Sequence, residues 1–218
     1  PISPLLLSIT APHRGDDMTA FWAEPDFDAH ELVQLVHDRA SGLTAIIAIH
    51  STHCGPGAGG TRFWHYADPA GAMRDALRLS RGMSYKNAMA GLPMGGGKAV
   101  ILADAKGTKT PAMLAAFGDA VEGLGGRYVT AEDVGISEAD MVAVAKRTAH
   151  VSGLPVAGEG SAGGDPGPFT AMGIFLGIKA ALAGGEAAGK PDLNELCGVS
   201  NDRVHHAGFG PLLCAVSG

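Results

Sequence analysis

Cysteine is scarce in this chain: Cys54, Cys197 and Cys214 are the only three among 218 residues, odd in number and irregularly spaced. That excludes a disulfide framework and points to a reducing compartment, so the cytoplasm is the expected location. Basic charge is also short. Sixteen Lys and Arg against 22 Asp and Glu leave a formal net charge of −6, without the basic field that nucleic acid would need. The apolar opening Pro1–Ile9 is too short to span a membrane, and no basic stretch precedes it, so neither a membrane anchor nor a secretion signal is expected. A start at Pro1 suggests a lost initiator Met or a fragment. Metal ligands are sparse as well. His50, His53 and Cys54 have no fourth partner at a recognised spacing, and the same discount applies to His205-His206; no metal site is expected.

What is present is glycine, 33 residues in short runs, and a hydrophobic fraction of 46% that suffices for a folded core. Glu31–His37 and Leu43–His50 read as two strands joined by a turn at Ser41-Gly42. The Gly-rich segment His53–Gly60 follows as a loop. Asp68-Pro69 then supplies an N-cap and first helical residue, and Met73, Ala76, Leu77 and Ser80 carry the helix towards Met83. Lys98–Leu102 reads as a buried strand launched from Gly95–Gly97. A helix from Thr110-Pro111 ends at Gly125-Gly126, a strand follows over Arg127–Thr130, and Ser137 with Asp140 suggests a capping box for the next helix. Trp22 and Trp64 read as packing groups. Alternating strands and helices of this length indicate a layered α/β domain. Three segments are expected: residues 1–157 as this domain, 158–190 as a linker with a helix over Thr170–Ala183, and 191–218, where the pattern deteriorates.

The most local shortage carries the chemistry. No acidic residue occurs between Asp75 and Asp104, yet Arg78, Arg81, Lys86 and Lys98 all lie there. A lysine on an apolar strand, without a counter-ion nearby in sequence, has its neutral amine favoured. Its ordinary pKa of roughly 10.4 must fall by several units before it can act as a base near neutrality. Two cations beside Gly-rich backbone also suit a carboxylate ligand, since glycine amides can approach it closely. The alternative is a pair of surface lysines at element ends, the ordinary fate of lysine. A phosphate-binding P-loop is excluded: Leu92 stands where its first Gly belongs, Ala99 replaces the Ser or Thr, and Lys98 opens a strand instead of a helix. A second focus is Tyr128–Gly135, where Glu132 and Asp133 end a strand, a position at which α/β sheets bind ligands. Alternation allows only one of them to face a given pocket, and the residues alone do not say which.

Five ordered motifs resemble the glutamate/leucine/phenylalanine/valine dehydrogenase family. They are Gly55–Arg62, Arg81–Asn87, Leu92–Lys98, Tyr128–Gly135 and Pro166–Gly173. The resemblance implies a layered amino-acid-dehydrogenase N-terminal domain with a mixed sheet. It implies oxidative deamination of an L-amino acid to its 2-oxo acid and ammonia, with NAD as hydride acceptor, in a homo-oligomer. Carried over position by position, Lys86 binds the substrate carboxylate, helped by Met83 and the Gly59-Gly60 backbone. Lys98 activates the water that attacks the imine carbon, Asp133 moves the proton at the amino nitrogen, and Thr170 touches the nicotinamide end of the cofactor. The resemblance thus selects Asp133 over Glu132. Ala58 stands where a glutamate enzyme would need a cation, which favours a hydrophobic substrate of the phenylalanine, leucine or valine type.

The resemblance fails after Asn194. Gly208-Phe209-Gly210 lacks the third Gly of a dinucleotide-binding turn, and Ser200–His206 is no buried strand. The Rossmann domain is therefore expected to be missing or not formed, as from a shifted reading frame near Glu195–Gly198 or a shortened protein. The alternative function is a catalytically inactive remnant, or a module that binds amino acids and self-associates.

Overall fold

The computed structural model describes residues 21–155, 163–164 and 166–184. The chain divides between Ser152 and Gly153 into two units. The first holds a five-stranded sheet in the order β1-β2-β4-β3-β5. Its strands are β1 (Leu32–Asp38), β2 (Leu43–Ser51), β3 (Gly57–Trp64), β4 (Gly95–Leu102) and β5 (Tyr128–Ala131). The hairpin β1–β2 is antiparallel, as is β2–β4, whereas β3 runs parallel to both β4 and β5. The sheet is therefore mixed, and no dinucleotide-binding fold occurs among the described residues.

Helix α1 (Pro69–Met89) starts where sequence chemistry requires. The Asp68 side chain accepts from Ala70 N, and Pro69 occupies the first turn, where its missing N–H costs nothing. Side chains alternate across a strand, so Ile46, Ala48 and Val100 share one face of the sheet. There they pack against Ala72 and Ala76 of α1. The register pairs Ala48 with Lys98 and Arg62 with Val100, which puts Lys98 and Arg62 on that same face. Helix α2 (Pro111–Glu122), capped by Thr110, packs on β2, β5 and helix α3 (Glu138–Val144). Its Phe117 and Val121 are fully buried, as are Met141 and Val144 of α3. The Ser137–Asp140 capping box is present in full.

Three boundaries differ from the sequence reading. The segment read as a loop over His53–Gly60 turns into strand at Gly57, because β3 is Gly57–Trp64. Helix α1 continues past Met83 to Met89, with a long apolar side ending in no breaker until Gly91 (φ 66°). Lys98 does not open its strand: Gly95–Gly97 already belong to β4. Glycine is ordinarily weak in a strand interior, and its recurrence here marks a close approach of backbones. A Cβ on Gly97 would lie 2.6 Å from the Tyr128 ring, and one on Gly96 would collide with Ser80 and Ser84 of α1. Trp22 and Trp64 are not core groups; they are 65% and 51% exposed.

In the second unit, helix α4 (Gly167–Gly184) contains the expected Thr170–Ala183 helix and begins three residues sooner. The residues from 185 onward, including Gly208–Gly210, lie outside the described set. No described helix is long and apolar enough to cross a membrane.

Candidate functional site

Lys98 and Asp133 meet directly. Lys98 Nζ donates to Asp133 Oδ2 at 2.7 Å, with the two side chains 7% and 24% exposed. Lys98 is carried in the middle of β4, and Asp133 lies two residues beyond the end of β5. Burial pulls the Lys98 ammonium down from its ordinary value, and the Asp133 hydrogen bond and charge oppose this only in part. Burial is the largest single influence and works against the Asp133 charge, but the bond to and charge of Lys98, the Val134 amide and the Arg62 charge together hold the carboxyl below the usual range. The loop carrying Asp133 is fastened at several points. Phe63 N donates to Val134 O at 2.9 Å, Ile136 N to Asp133 O at 2.9 Å, and Lys109 Nζ to Gly135 O at 2.7 Å. Gly135 has φ 80°, and a Cβ there would collide with Phe63 O, so only glycine fits this turn.

A third group completes the cluster. Arg62 Nε donates to Asp133 Oδ2 at 3.2 Å while its Nη1 donates to Asp75 Oδ2 at 2.7 Å. Asp75, on α1, also accepts from Tyr66 Oη at 2.9 Å and Arg78 at 2.8 Å. Burial disfavours the Arg62 charge, but Asp133 and Asp75 outweigh that and bind its proton more firmly. Burial, then the bond to Asp75, pushes the Tyr66 hydroxyl up to about 12. The cation that bears on Lys98 is thus Arg62, on the neighbouring strand β3. Arg62 stood inside the Gly55–Arg62 motif, but no spacing rule links it to Asp133 across 71 positions.

Beside the cluster the floor is bare backbone. A Cβ on Gly60 would come 2.8 Å from Asp133 Cβ, and one on Gly59 would strike Gly97 O and approach Met83 Cγ at 3.1 Å. Tyr128 Oη donates to Gly59 O at 2.7 Å, fixing that carbonyl from the buried side. Gly59, Gly60, Met83 and Asp133 are therefore neighbours. Lys86 is exposed on the last turn of α1. Its neighbour Asn87 is buried and donates to Gly95 O at 2.7 Å and Ala58 O at 3.4 Å, tying that turn to the glycine strands. Thr170 lies in the separate second unit, exposed on the first turn of α4.

Among the described residues no group of three or more His, Cys, Asp or Glu side chains could hold a metal ion. His50 instead bonds Ser84 Oγ at 2.8 Å, and Cys54 is a free, exposed thiol.

Fold and cluster together define a layered α/β domain whose glycine-rich strands adjoin a buried lysine paired with a partly exposed carboxylate. Residues 30–150 match the family described as Glu/Leu/Phe/Val dehydrogenase, dimerisation domain, and the chain belongs to that family. It is 48% identical to leucine dehydrogenase of Geobacillus stearothermophilus over 180 residues, covering 81% of this chain and 48% of that protein. It is 53% identical to valine dehydrogenase of Streptomyces albus over 156 residues, covering 72% of this chain and 42% of the other. Among solved structures it resembles L-tryptophan dehydrogenase from Nostoc punctiforme, with a TM-score of 0.57 and 44% identity over 70% of this chain and 42% of that one. The chain spans less than half the length of these relatives.

Proposed function

We propose that this domain binds a hydrophobic L-amino acid or its 2-oxo acid over the Gly59-Gly60 floor, in readiness for making or breaking the C–N bond. The Lys98–Asp133 pair carries this reading: a 2.7 Å contact that sets a desolvated amine beside a partly exposed carboxylate. In the proposed arrangement Lys86 and the glycine amides receive the carboxylate, with Met83 beside them. Lys98 holds the water that adds to the imine carbon, and Asp133 takes the proton from, or returns it to, the amino nitrogen. With Lys98 protonated, the cluster of Lys98, Arg62 and Arg78 against Asp133 and Asp75 has one positive charge in excess.

Amino-acid dehydrogenases of this family use NAD. The described residues do not form a cradle for it, since no Gly-rich strand-to-helix turn of the dinucleotide-binding type occurs among them. Thr170 alone, proposed at the nicotinamide end, does not hold a dinucleotide. No hydride step is therefore assigned to these residues, and the domain by itself is read as a binding and self-associating module. Oxidative deamination of leucine, valine or phenylalanine is assigned only to a form that also supplies a dinucleotide fold.

Isothermal titration of the chain tests this. Binding of branched or aromatic 2-oxo acids, at affinities on the order of 1 mM or tighter, is expected, with loss in Lys86→Ala. Absence of binding, or binding indifferent to that change, defeats the reading. Micromolar binding of NADH would overturn the assignment of the cofactor to another fold. Assays of leucine-, valine- and phenylalanine-dependent NADH formation, on this chain and on a version fused to a dinucleotide domain, separate the module from the enzyme.

A further inference from the structure

Arg62 takes no part in the chemistry proposed above, yet two carboxylates hold it. Its planar guanidinium spans two carboxylates, Nε on Asp133 Oδ2 at 3.2 Å and Nη1 on Asp75 Oδ2 at 2.7 Å. Asp75 in turn is fixed from α1 by Tyr66 Oη at 2.9 Å and Arg78 at 2.8 Å, on different oxygens. A chain of charge-assisted bonds therefore runs from helix α1 through Asp75 and Arg62 to Asp133.

We infer that Arg62 is a positioning residue for Asp133: held by Asp75, it pins carboxylate oxygen Oδ2 together with Lys98, leaving Oδ1 as the oxygen that carries the proton. The inference rests on the proposed role of Asp133 and specifies which atom performs it.

The argument is geometric. Lys98 also binds Oδ2, at 2.7 Å, so both cations converge on a single oxygen. An oxygen held by two cationic donors is the less basic of the pair, and a proton arriving at Asp133 goes to the other. Lys98 cannot impose this alone, because an ammonium on a four-carbon stem is a point charge with no preferred plane. The guanidinium has a plane, and two anchored carboxylates determine it. The backbone N–H of Val134 also favours the charged Asp133, from the loop that Phe63 holds. The competing view is that Arg62–Asp75 only ties β3 to α1 and is indifferent to the state of Asp133.

Carboxyl ¹³C and Arg62 Nε–Hε NMR signals of the intact chain, followed against pH, separate the two views. Asp133→Asn supplies the assignment. In the wild-type chain the Arg62 Hε signal is expected to move with the same midpoint as the Asp133 carboxyl. Arg62→Gln is expected to raise the Asp133 midpoint by about 1 unit, with Arg62→Lys restoring only part of the shift. Asp75→Asn, which keeps the Arg62 charge and removes its anchor, is expected to average the Hε signal and raise the midpoint by less. An Arg62 Hε signal that ignores the Asp133 titration overturns the inference, and needs no variant to fold. An unmoved Asp133 midpoint in a folded Arg62→Gln chain overturns it equally. None of these readouts involves a ligand, so failed 2-oxo acid binding would defeat the proposed function and leave the Arg62 result standing. Where ligand binds, Arg62→Gln is expected to shift the pH dependence of 2-oxo acid affinity.

Discussion

Lys98 and Asp133 touch at 2.7 Å although the strands that lead to them are not neighbours, because β3 lies between β4 and β5. The contact passes over β3 at Gly60, where a Cβ would intrude to 2.8 Å from Asp133. A glycine in the middle strand is the condition for an ion pair between the outer two.

Removing Asp133 leaves Lys98 buried with Arg62 as its charged neighbour. Asp133→Ala is expected to cost about 3 kcal/mol of stability at neutral pH. Because burial already lowers the Lys98 pKa, the unfolded chain holds that proton more firmly than the folded one. Stability then rises with pH towards the unfolded value of roughly 10.4, and the penalty of the substitution shrinks along the way. Urea denaturation at pH 7 and pH 9.5 measures this. A penalty independent of pH would mean that Lys98 is not the charged partner.

A second pH effect comes from His30, which is 9% exposed. Its Nδ1 accepts from Asp28 N at 3.1 Å, so Nε2 carries the hydrogen and donates towards Leu77 O and Ser80 Oγ, both at 3.0 Å. The neutral ring satisfies every partner, and burial lowers its pKa from 6.5. A lowered folded value means that the unfolded state binds the proton first. Stability is therefore full above the unfolded pKa and declines as pH falls from about 6.5. Chemical denaturation between pH 7.5 and 5 is expected to show the decline in the wild type and a flatter profile in His30→Gln.

Two glycines of the site region are expected to respond in opposite directions. Gly59→Ala drives a methyl into the Gly97 carbonyl and should cost about 3 kcal/mol or more, or prevent folding. Gly82→Ala, exposed on α1 with nothing within 4 Å of the new methyl, should stabilise by about 1 kcal/mol. Thermal midpoints of the two variants check both signs.

Lys86 separates binding from folding. It is exposed on the last turn of α1, so Lys86→Ala should alter stability by no more than about 0.5 kcal/mol. Loss of a charge-assisted contact to the ligand carboxylate should weaken 2-oxo acid binding about tenfold or more. Titration calorimetry beside a denaturation curve gives both values. Equal affinity in the two proteins would remove Lys86 from the proposed site.

The sequence disclosed those parts of the fold that depend on local chemistry. Asp68-Pro69, Thr110-Pro111 and Ser137–Asp140 announce helix starts, and each is where a helix begins. The apolar run that follows Lys98 correctly signalled its burial, since that residue is 6% exposed, whereas its counter-ion Asp133 lies too far along the chain to be read from it. The glycines misled, because His53–Gly60 resembles a loop in composition. Only the neighbouring backbones, remote in sequence, reveal that Gly57–Gly60 form a central strand. Arg62 was invisible as a site residue for the same reason: its partners Asp75 and Asp133 are chosen by strand register and helix placement.

Apart from Ala58, the floor at Gly57–Gly60 and Gly95–Gly97 consists of main chain held by its neighbours on both sides. Such a surface has no rotamers to freeze when a molecule settles on it, so its ordering entropy is settled once, at folding, and not again at each encounter. It is also blind to identity. On the proposed reading, every ligand with the same small polar head would meet the same amides, and discrimination among the groups attached to that head would fall to other residues.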